Sequence, residues 1–341
     1  QIGAAIGSAV GQALRLSERG IITLVSCGVA AGISGIFGAP FAGVLYAVEV
    51  VMEGRGSGIF SYAFVSAVVA DLVVWSLKGS APVFAVTPCS LAHPLELLLY
   101  ALLGAAAAAV AWLFMKAFYG TEDLFKRLAF LPEWLLPALG GVAFGIFGAV
   151  LPQSLGRGEG VVAQILDGRL NSASMLAALC LAKIVTTSVT LGSGGSGGLL
   201  FPALFIGAAL GGSLGSAFCS LLPGVASGSS AYAVAGMAAL FAALNHAPAT
   251  AVLLVAEITR DYSLLIPIML SSGVAVLLAR ALSRENIDTM KLARRGVYLH
   301  SDSDEREGFS ASASKIAFEL RPAAGASKVF DSIRKEGERF Q

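Results

Sequence analysis

The chain is 341 residues long, 56% apolar and 13% charged, with a formal net charge of +1 and a mean hydropathy of +0.78. Soluble domains carry about 25% charged residues, so this composition belongs to an integral membrane protein. The near-zero charge excludes a strongly basic, nucleic-acid-binding chain.

In chain order, apolar segments run at about 1–17, 20–37, 40–52, 58–77, 92–118, 132–151, 173–191, 199–222, 229–244, 247–259 and 263–283. Several fall short of the ~20 residues that a full bilayer span needs. Short, tilted or re-entrant helices broken by Gly and Pro are therefore expected, in an all-α polytopic membrane protein. The chain opens without Met on QIGAAIGSAVGQAL, which reads as a fragment lacking its N-terminal part. Cys27, Cys89, Cys180 and Cys219 stand singly in apolar sequence without metal-ligand spacing and read as buried thiols. No metal or cofactor is expected.

Residues 192–212 read GSGGSGGLLFPALFIGAALGG and lie inside the 73-residue stretch 184–256, which holds no Asp, Glu, Lys or Arg. A glycine-rich break in an apolar span frees backbone N–H groups, which lipid tolerates only where they are buried in protein or line a cavity. Pro202 suits the first turn of a new helix, where its missing N–H costs nothing. The expected element is a helix that starts inside the membrane with its positive end available to an anion. That chemistry points to transport and not to catalysis.

The chain also repeats itself. Gly28, Ala30, Ala31, Ala39, Pro40, Val44, Leu45 and Glu49 recur 208 positions later as Gly236, Ala238, Ala239, Ala247, Pro248, Val252, Leu253 and Glu257. IGAAIG at residues 2–7 recurs as IGAALG at 206–211, an offset of 204. Two similar halves with broken helices are a transporter pattern, the substrate lying between them.

These residues resemble the CLC family of chloride channels and proton–chloride exchangers. The likeness rests on QIG at 1–3, AAGISGIFGAPFAGVLYAVEV at 30–50 and the 192–212 motif, and continues through HAPATAVLLVAEITRDYSLLIPIM at 246–269 and KLARRG at 291–296. It implies an inverted-repeat architecture, a homodimer with one anion pathway per subunit, and a small anion such as chloride as the transported species. The family's first anion loop and its gating Glu would lie upstream of Gln1. GRGEG at 156–160 imitates that gate, but no Pro follows Glu159 and no QIG comes after it, so it reads as a solvated turn.

Carried over residue by residue, the family's Gly-x-Phe-x-Pro falls on Gly198, Leu199, Leu200, Phe201 and Pro202, with Leu200 in place of Phe. The resemblance implies that the N–H groups of Leu199 and Leu200 face the anion. The exchangers' internal proton-accepting Glu falls on Val50, beside Glu49, and Val carries no proton. This favours a passive chloride channel, with a proton-coupled exchanger as the alternative; Glu49 and Glu257 read as helix caps. The family's pore Tyr falls on Asp288, whose ionised carboxylate would repel chloride, so the side chain is turned away or protonated, or the inner anion site is altered. Tyr262 reads as interfacial packing.

Two rivals are weaker. GSGGSG at 192–197 satisfies GxGxxG, yet no acidic residue follows about 20 positions on and no Lys-Ser or Lys-Thr completes a P-loop. GGSG at 194–197 with His246 downstream fits an intramembrane serine protease on Ser196, but the repeat accounts for both segments without catalysis.

The membrane domain is expected over residues 1–283. A cytoplasmic exit segment and linker follow over 284–317, including SDSDEREGFSASAS at 301–314. Residues 318–341 resemble the opening of a CBS domain, with a nucleotide as its implied partner. Arg280, Arg284, Lys291, Arg294 and Arg295 put the end of the last membrane helix on the cytoplasmic side, in what reads as a prokaryotic inner membrane.

Overall fold

The computed structural model describes residues 1–52, 58–79, 81–86, 93–128, 130, 132, 134–294 and 296. Cys89, Arg295, the linker and the CBS-like segment lie outside these residues. The described residues are helical throughout and hold no strand. In order they form α1 (Ile2–Ala13), α2 (Glu18–Phe37), α3 (Pro40–Leu45), a π-helical turn (Tyr46–Val51), α4 (Phe60–Lys78), α5 (Glu96–Arg127) and α6 (Leu135–Val150). A 3₁₀ turn (Pro152–Ser154), α7 (Glu159–Leu166), α8 (Ala173–Gly192), α9 (Leu200–Leu221), α10 (Ser229–Asn245), α11 (Pro248–Thr259), α12 (Leu265–Leu282) and α13 (Thr289–Ala293) follow.

Six of these, α2, α4, α5, α8, α9 and α12, are long and apolar enough to cross a bilayer, and α1, α6, α10 and α11 are shorter apolar helices. The mixture of full and partial spans matches the broken-helix expectation. At the centre, every residue of α10 from Ala231 to Asn245 is buried, packed among α9, α12, α5 and α11. A helix enclosed on all sides keeps no polar face, which is why periodicity is silent there. By contrast, α4 is buried over only a tenth of its span and presents its apolar face to lipid.

The sequence repeat is a structural repeat. Gly38 ends α2 at φ 58° and ψ 38°, and His246 ends α10 at φ 55° and ψ 32°. The next residues, Ala39 and Ala247, adopt φ −130° and −124° and lead into helices with Pro at the start. The helix crossings also repeat. A Cβ on Gly3 would fall 2.0 Å from the Gly28 carbonyl oxygen, and one on Gly207 would fall 2.4 Å from that of Gly236. Gly7 abuts Leu24 as Gly211 abuts Tyr232. Small residues let membrane helices approach backbone to backbone, where dispersion replaces the missing hydrophobic drive.

At Gly38 an added Cβ would have only the Asp71 Oδ1 within 4 Å, at 3.8 Å. Gly38→Ala is therefore expected to cost only the left-handed backbone penalty, about 1 kcal/mol. The check is a modestly lower thermal midpoint in detergent.

Candidate anion site

The glycine-rich break is realised between the end of α8 at Gly192 and the start of α9 at Leu200. Leu199 is the N-cap of α9 and no side chain caps the helix. The first hydrogen bond at this end runs from the Ala203 N–H to the Leu199 carbonyl, 2.9 Å. Among the described residues, the N–H groups of Gly198, Leu199, Leu200 and Phe201 have no backbone acceptor. Gly198 is exposed, with open space where a Cβ would stand. An uncapped helix start with its first amides available carries partial positive charge and N–H donors without a full charge.

The Phe201 ring anchors this start. It lies 4.8 Å from the Phe37 ring at the end of α2 and 4.2 Å beneath the Arg157 guanidinium. Arg157 also pairs with Glu159 at 2.8 Å, and both side chains are largely exposed. The GRGEG segment is more than a solvated turn. Lys183, 3% exposed on α8, donates from Nζ to the carbonyls of Ser154 at 3.1 Å and Gly156 at 2.6 Å. Its ammonium also lies 5.0 Å from the Phe205 ring, and Gly158 at φ 80° packs directly on that ring. The loop is thereby seated on the first turns of α9, and Glu159 opens α7.

Sequence reasoning passed over Lys183 because it borders the charge-free stretch without belonging to a motif. A lone Lys inside a span is itself the signal that could have found it. Lys183→Met keeps the stem but leaves two carbonyls without their donor. A loss of about 1–3 kcal/mol is expected, measured as faster proteolysis of the 152–158 loop and a lower thermal midpoint.

Glu49 and Val50 sit in the π-helical turn, where each extra residue per turn re-aims side chains. Val50 is buried, 9% exposed. Glu49 accepts from the Thr250 N–H at 2.8 Å, the Thr250 hydroxyl at 2.7 Å and the Ala249 N–H at 3.4 Å, capping α11. Its repeat partner Glu257 accepts from the N–H groups of Phe41 at 3.1 Å and Ala42 at 2.8 Å, capping α3. Each half thus caps the broken helix of the other.

Asp288 opens α13, but its side chain makes no capping bond. The cap is Asn286, whose Oδ1 accepts from the N–H groups of Asp288 at 2.9 Å and Thr289 at 2.7 Å. The segment is pinned by Tyr119, whose hydroxyl donates to the Ile287 carbonyl at 2.6 Å, and by the Ile287 N–H on the Leu244 carbonyl at 3.0 Å. Asp288 is solvent-accessible yet walled by protein. The wall pushes its carboxyl above the usual carboxylate range, and Lys291 pulls it back. Both Tyr46, in the π-helical turn, and Tyr119 lie within reach of its charge.

The predicted site residues therefore fall into two neighbourhoods. Gly198, Leu199, Leu200 and Phe201 share the start of α9. Asp288 faces Tyr46, on the turn that carries Glu49 and Val50. Ser196 is exposed, and among the described residues no hydrogen bond joins it to His246, whose carbonyl accepts from Arg280 at 3.2 Å. Cys180 is buried as expected, whereas Cys27 and Cys219 are only partly so.

Residues 1–280 match the voltage-gated chloride channel family. The chain belongs to that family. A ClcB-like chloride channel protein of Ralstonia nicotianae is 35% identical over 309 residues, 86% of this chain and 71% of the relative. The H⁺/Cl⁻ exchange transporter ClcA of Salmonella agona is 33% identical over 301 residues, 86% of this chain; the chain spans 63% of that relative's length. Among solved structures, a slow cyanobacterial Cl⁻/H⁺ antiporter superposes with a TM-score of 0.76 at 27% identity, over 86% of this chain and 70% of the other. A CLC-type fluoride/proton antiporter shares the fold, with a TM-score of 0.71 at 22% identity over 82% of this chain and 68% of its own. The all-α, polytopic membrane fold of this chain is thus the CLC fold.

Proposed function

We propose that this chain is the greater part of a membrane protein that carries chloride across a bilayer, in exchange for protons. The observation that carries the reading is the uncapped start of α9 at Gly198, Leu199, Leu200 and Phe201, in a chain of this family. Backbone amides at a helix start stabilise a partly dehydrated anion without the full charge that would hold it too long for passage. The relatives named as exchange transporters and antiporters favour exchange.

A passive channel is the second reading. It is supported by Val50, a buried side chain with no proton to give, and by the relative named as a chloride channel protein. The proposal extends to a homodimer in the inner membrane, with the end bearing Arg280, Arg284, Lys291 and Arg294 on the cytoplasmic side, and to a nucleotide-responsive region at 318–341. Light scattering in detergent checks the dimer as twice the subunit mass.

The deciding experiment records the reversal potential of the full-length protein in liposomes under a chloride gradient, then with a pH gradient added. A potential shifted by pH supports exchange. One that follows chloride alone supports the channel and gives Val50 its meaning. No chloride current or flux at all overturns transport.

A further inference from the structure

We propose that Asp288 and Tyr46 form a proton-controlled anion subsite at the basic mouth of the protein, where the neutral carboxyl and the phenol donate to an anion that the ionised carboxylate turns away. The subsite rests on the chloride-transport reading above and names a regulation of it.

Three observations meet at this place. The first is that an Asp at a helix start ordinarily caps its own helix, and here it does not. Asn286 holds both N–H groups that such an Asp would take, which leaves the Asp288 carboxyl to face outward from its backbone. Second, the position of that carboxyl is fixed. Tyr119 and Leu244 grip Ile287 on one side, and Thr289 accepts from the Asn286 N–H at 3.0 Å on the other. A carboxyl held by its neighbours, accessible to water and enclosed by protein is built to bind something small and wet.

The third observation is the company it keeps. Tyr46 faces Asp288 from the π-helical turn, and among the described residues no hydrogen bond occupies the Tyr46 hydroxyl. The Tyr119 hydroxyl is committed to Ile287 and is not available. From α5 the remaining charged neighbour is Glu122; from α13 they are Lys291 and Arg294, and the connection itself carries Arg284 and Glu285. The end of α10 contributes His246 near the same connection, one residue beyond Asn245, whose carbonyl Asn286 approaches at 3.5 Å. Lys291 and Arg294 draw anions towards the mouth, but Arg294 is paired with Asp123 and Lys126 with Glu122. The sign of Asp288 is therefore what decides whether an anion stays.

The direction follows from the chemistry. A neutral carboxyl has an O–H to donate and no charge; an ionised one has only acceptors and a negative charge. The crowding that favours the neutral form keeps Asp288 protonated to a higher pH than an ordinary Asp. Chloride entry from this side is thus fastest in acid and slows as the pH rises and Asp288 ionises.

The test measures chloride flux from liposomes holding the full-length protein, wild type or Asp288→Asn, at symmetric pH from about 5 to about 8. The readout is the ratio of variant to wild type at each pH. The expected ratio is near one at the acid end and several-fold above one at the alkaline end. A ratio that is the same at every pH overturns the proposal and leaves chloride transport standing. Wild-type protein that moves no chloride at any pH overturns the transport reading itself. Asp288→Ser, which removes the carboxyl with less bulk, repeats the measurement if the Asn variant does not elute as wild type does. Tyr46→Phe is expected to raise the half-saturating chloride concentration several-fold at low pH; an unchanged value removes Tyr46 from the subsite.

Discussion

Gly236→Ala is expected to prevent the membrane domain from assembling, with Gly207→Ala nearly as damaging. A methyl on Gly236 would fall 2.3 Å from the Gly207 carbonyl oxygen and 2.9 Å from the Gly211 Cα. These are backbone atoms of α9, so no rotamer can swing aside. The helices must separate, and α10 has nowhere to go, because it is buried along its whole length from Ala231. Overpacking a core ordinarily costs about 1–3 kcal/mol, and a backbone-on-backbone clash at the centre of the protein lies at or above the top of that range. The effect is read as loss of the monodisperse peak in gel filtration and of a cooperative thermal transition.

Gly273→Ala supplies the contrast. Gly273 is also helical, on α12, but open space surrounds its missing Cβ. Replacing it removes backbone entropy from the unfolded chain, and a stabilisation of about 0.5–1 kcal/mol is expected. Equal behaviour of the two variants would mean that helix propensity, and not the crossing, sets the role of glycine here. The repeat sharpens the test. Gly3 and Gly28 occupy the matching crossing of α1 and α2, so Gly28→Ala is expected to behave as Gly236→Ala does.

How far the sequence discloses this fold depends on which interactions are local. The Ala-Pro pairs at 39–40 and 247–248 mark the two breaks because Pro and the residue before it constrain the backbone by themselves. The start of α9 is legible for the same reason, since Pro202 falls in its first turn. The extent of α5 is not. Its apolar stretch fades near residue 118, yet the helix runs on to Arg127, because its polar last turns are held by Lys126 on Glu122 at 2.6 Å, one helical turn away. At 32 residues it is about 48 Å long, more than the bilayer core.

The site divides in the same way. That Glu49 and Glu257 act as caps is legible from the repeat, but which helix each caps is not, since the partners are some 200 residues away. Nothing in NIDTMKL tells that Asn286 and not Asp288 caps α13, for both are good caps. The choice is made by Tyr119 and Leu244, which orient Ile287 from elsewhere in the chain. Tyr46 went unremarked because a phenol in an apolar segment has no pattern. Only the π-helical turn brings it towards Asp288.

Glu257→Ala is the second large effect expected. Its carboxylate is the acceptor for two N–H groups at the start of α3, and both would be left without it in a crowded interior. Hydrogen bonds to a charged group are worth about 1.5–3 kcal/mol each, and an orphaned donor costs as much as the lost bond. A loss of about 2–4 kcal/mol is expected, with Glu257→Gln losing roughly half because one acceptor oxygen remains. Glu49→Ala removes the matching cap of α11, but Ala249 is exposed there, so water replaces part of the bond and the loss is smaller. The two losses are expected not to add, because each cap ties the same pair of broken helices, α3 and α11, to one another. Thermal midpoints of the two single variants and the double variant measure this coupling. A Glu49→Gln protein that keeps its midpoint yet loses the pH-dependent shift of the reversal potential would move Glu49 from cap to proton carrier. A midpoint that falls together with transport leaves it a cap. Two carboxylates exchanged between halves this way explain why each half conserves its Glu at the same offset within this chain: neither broken helix has a cap of its own.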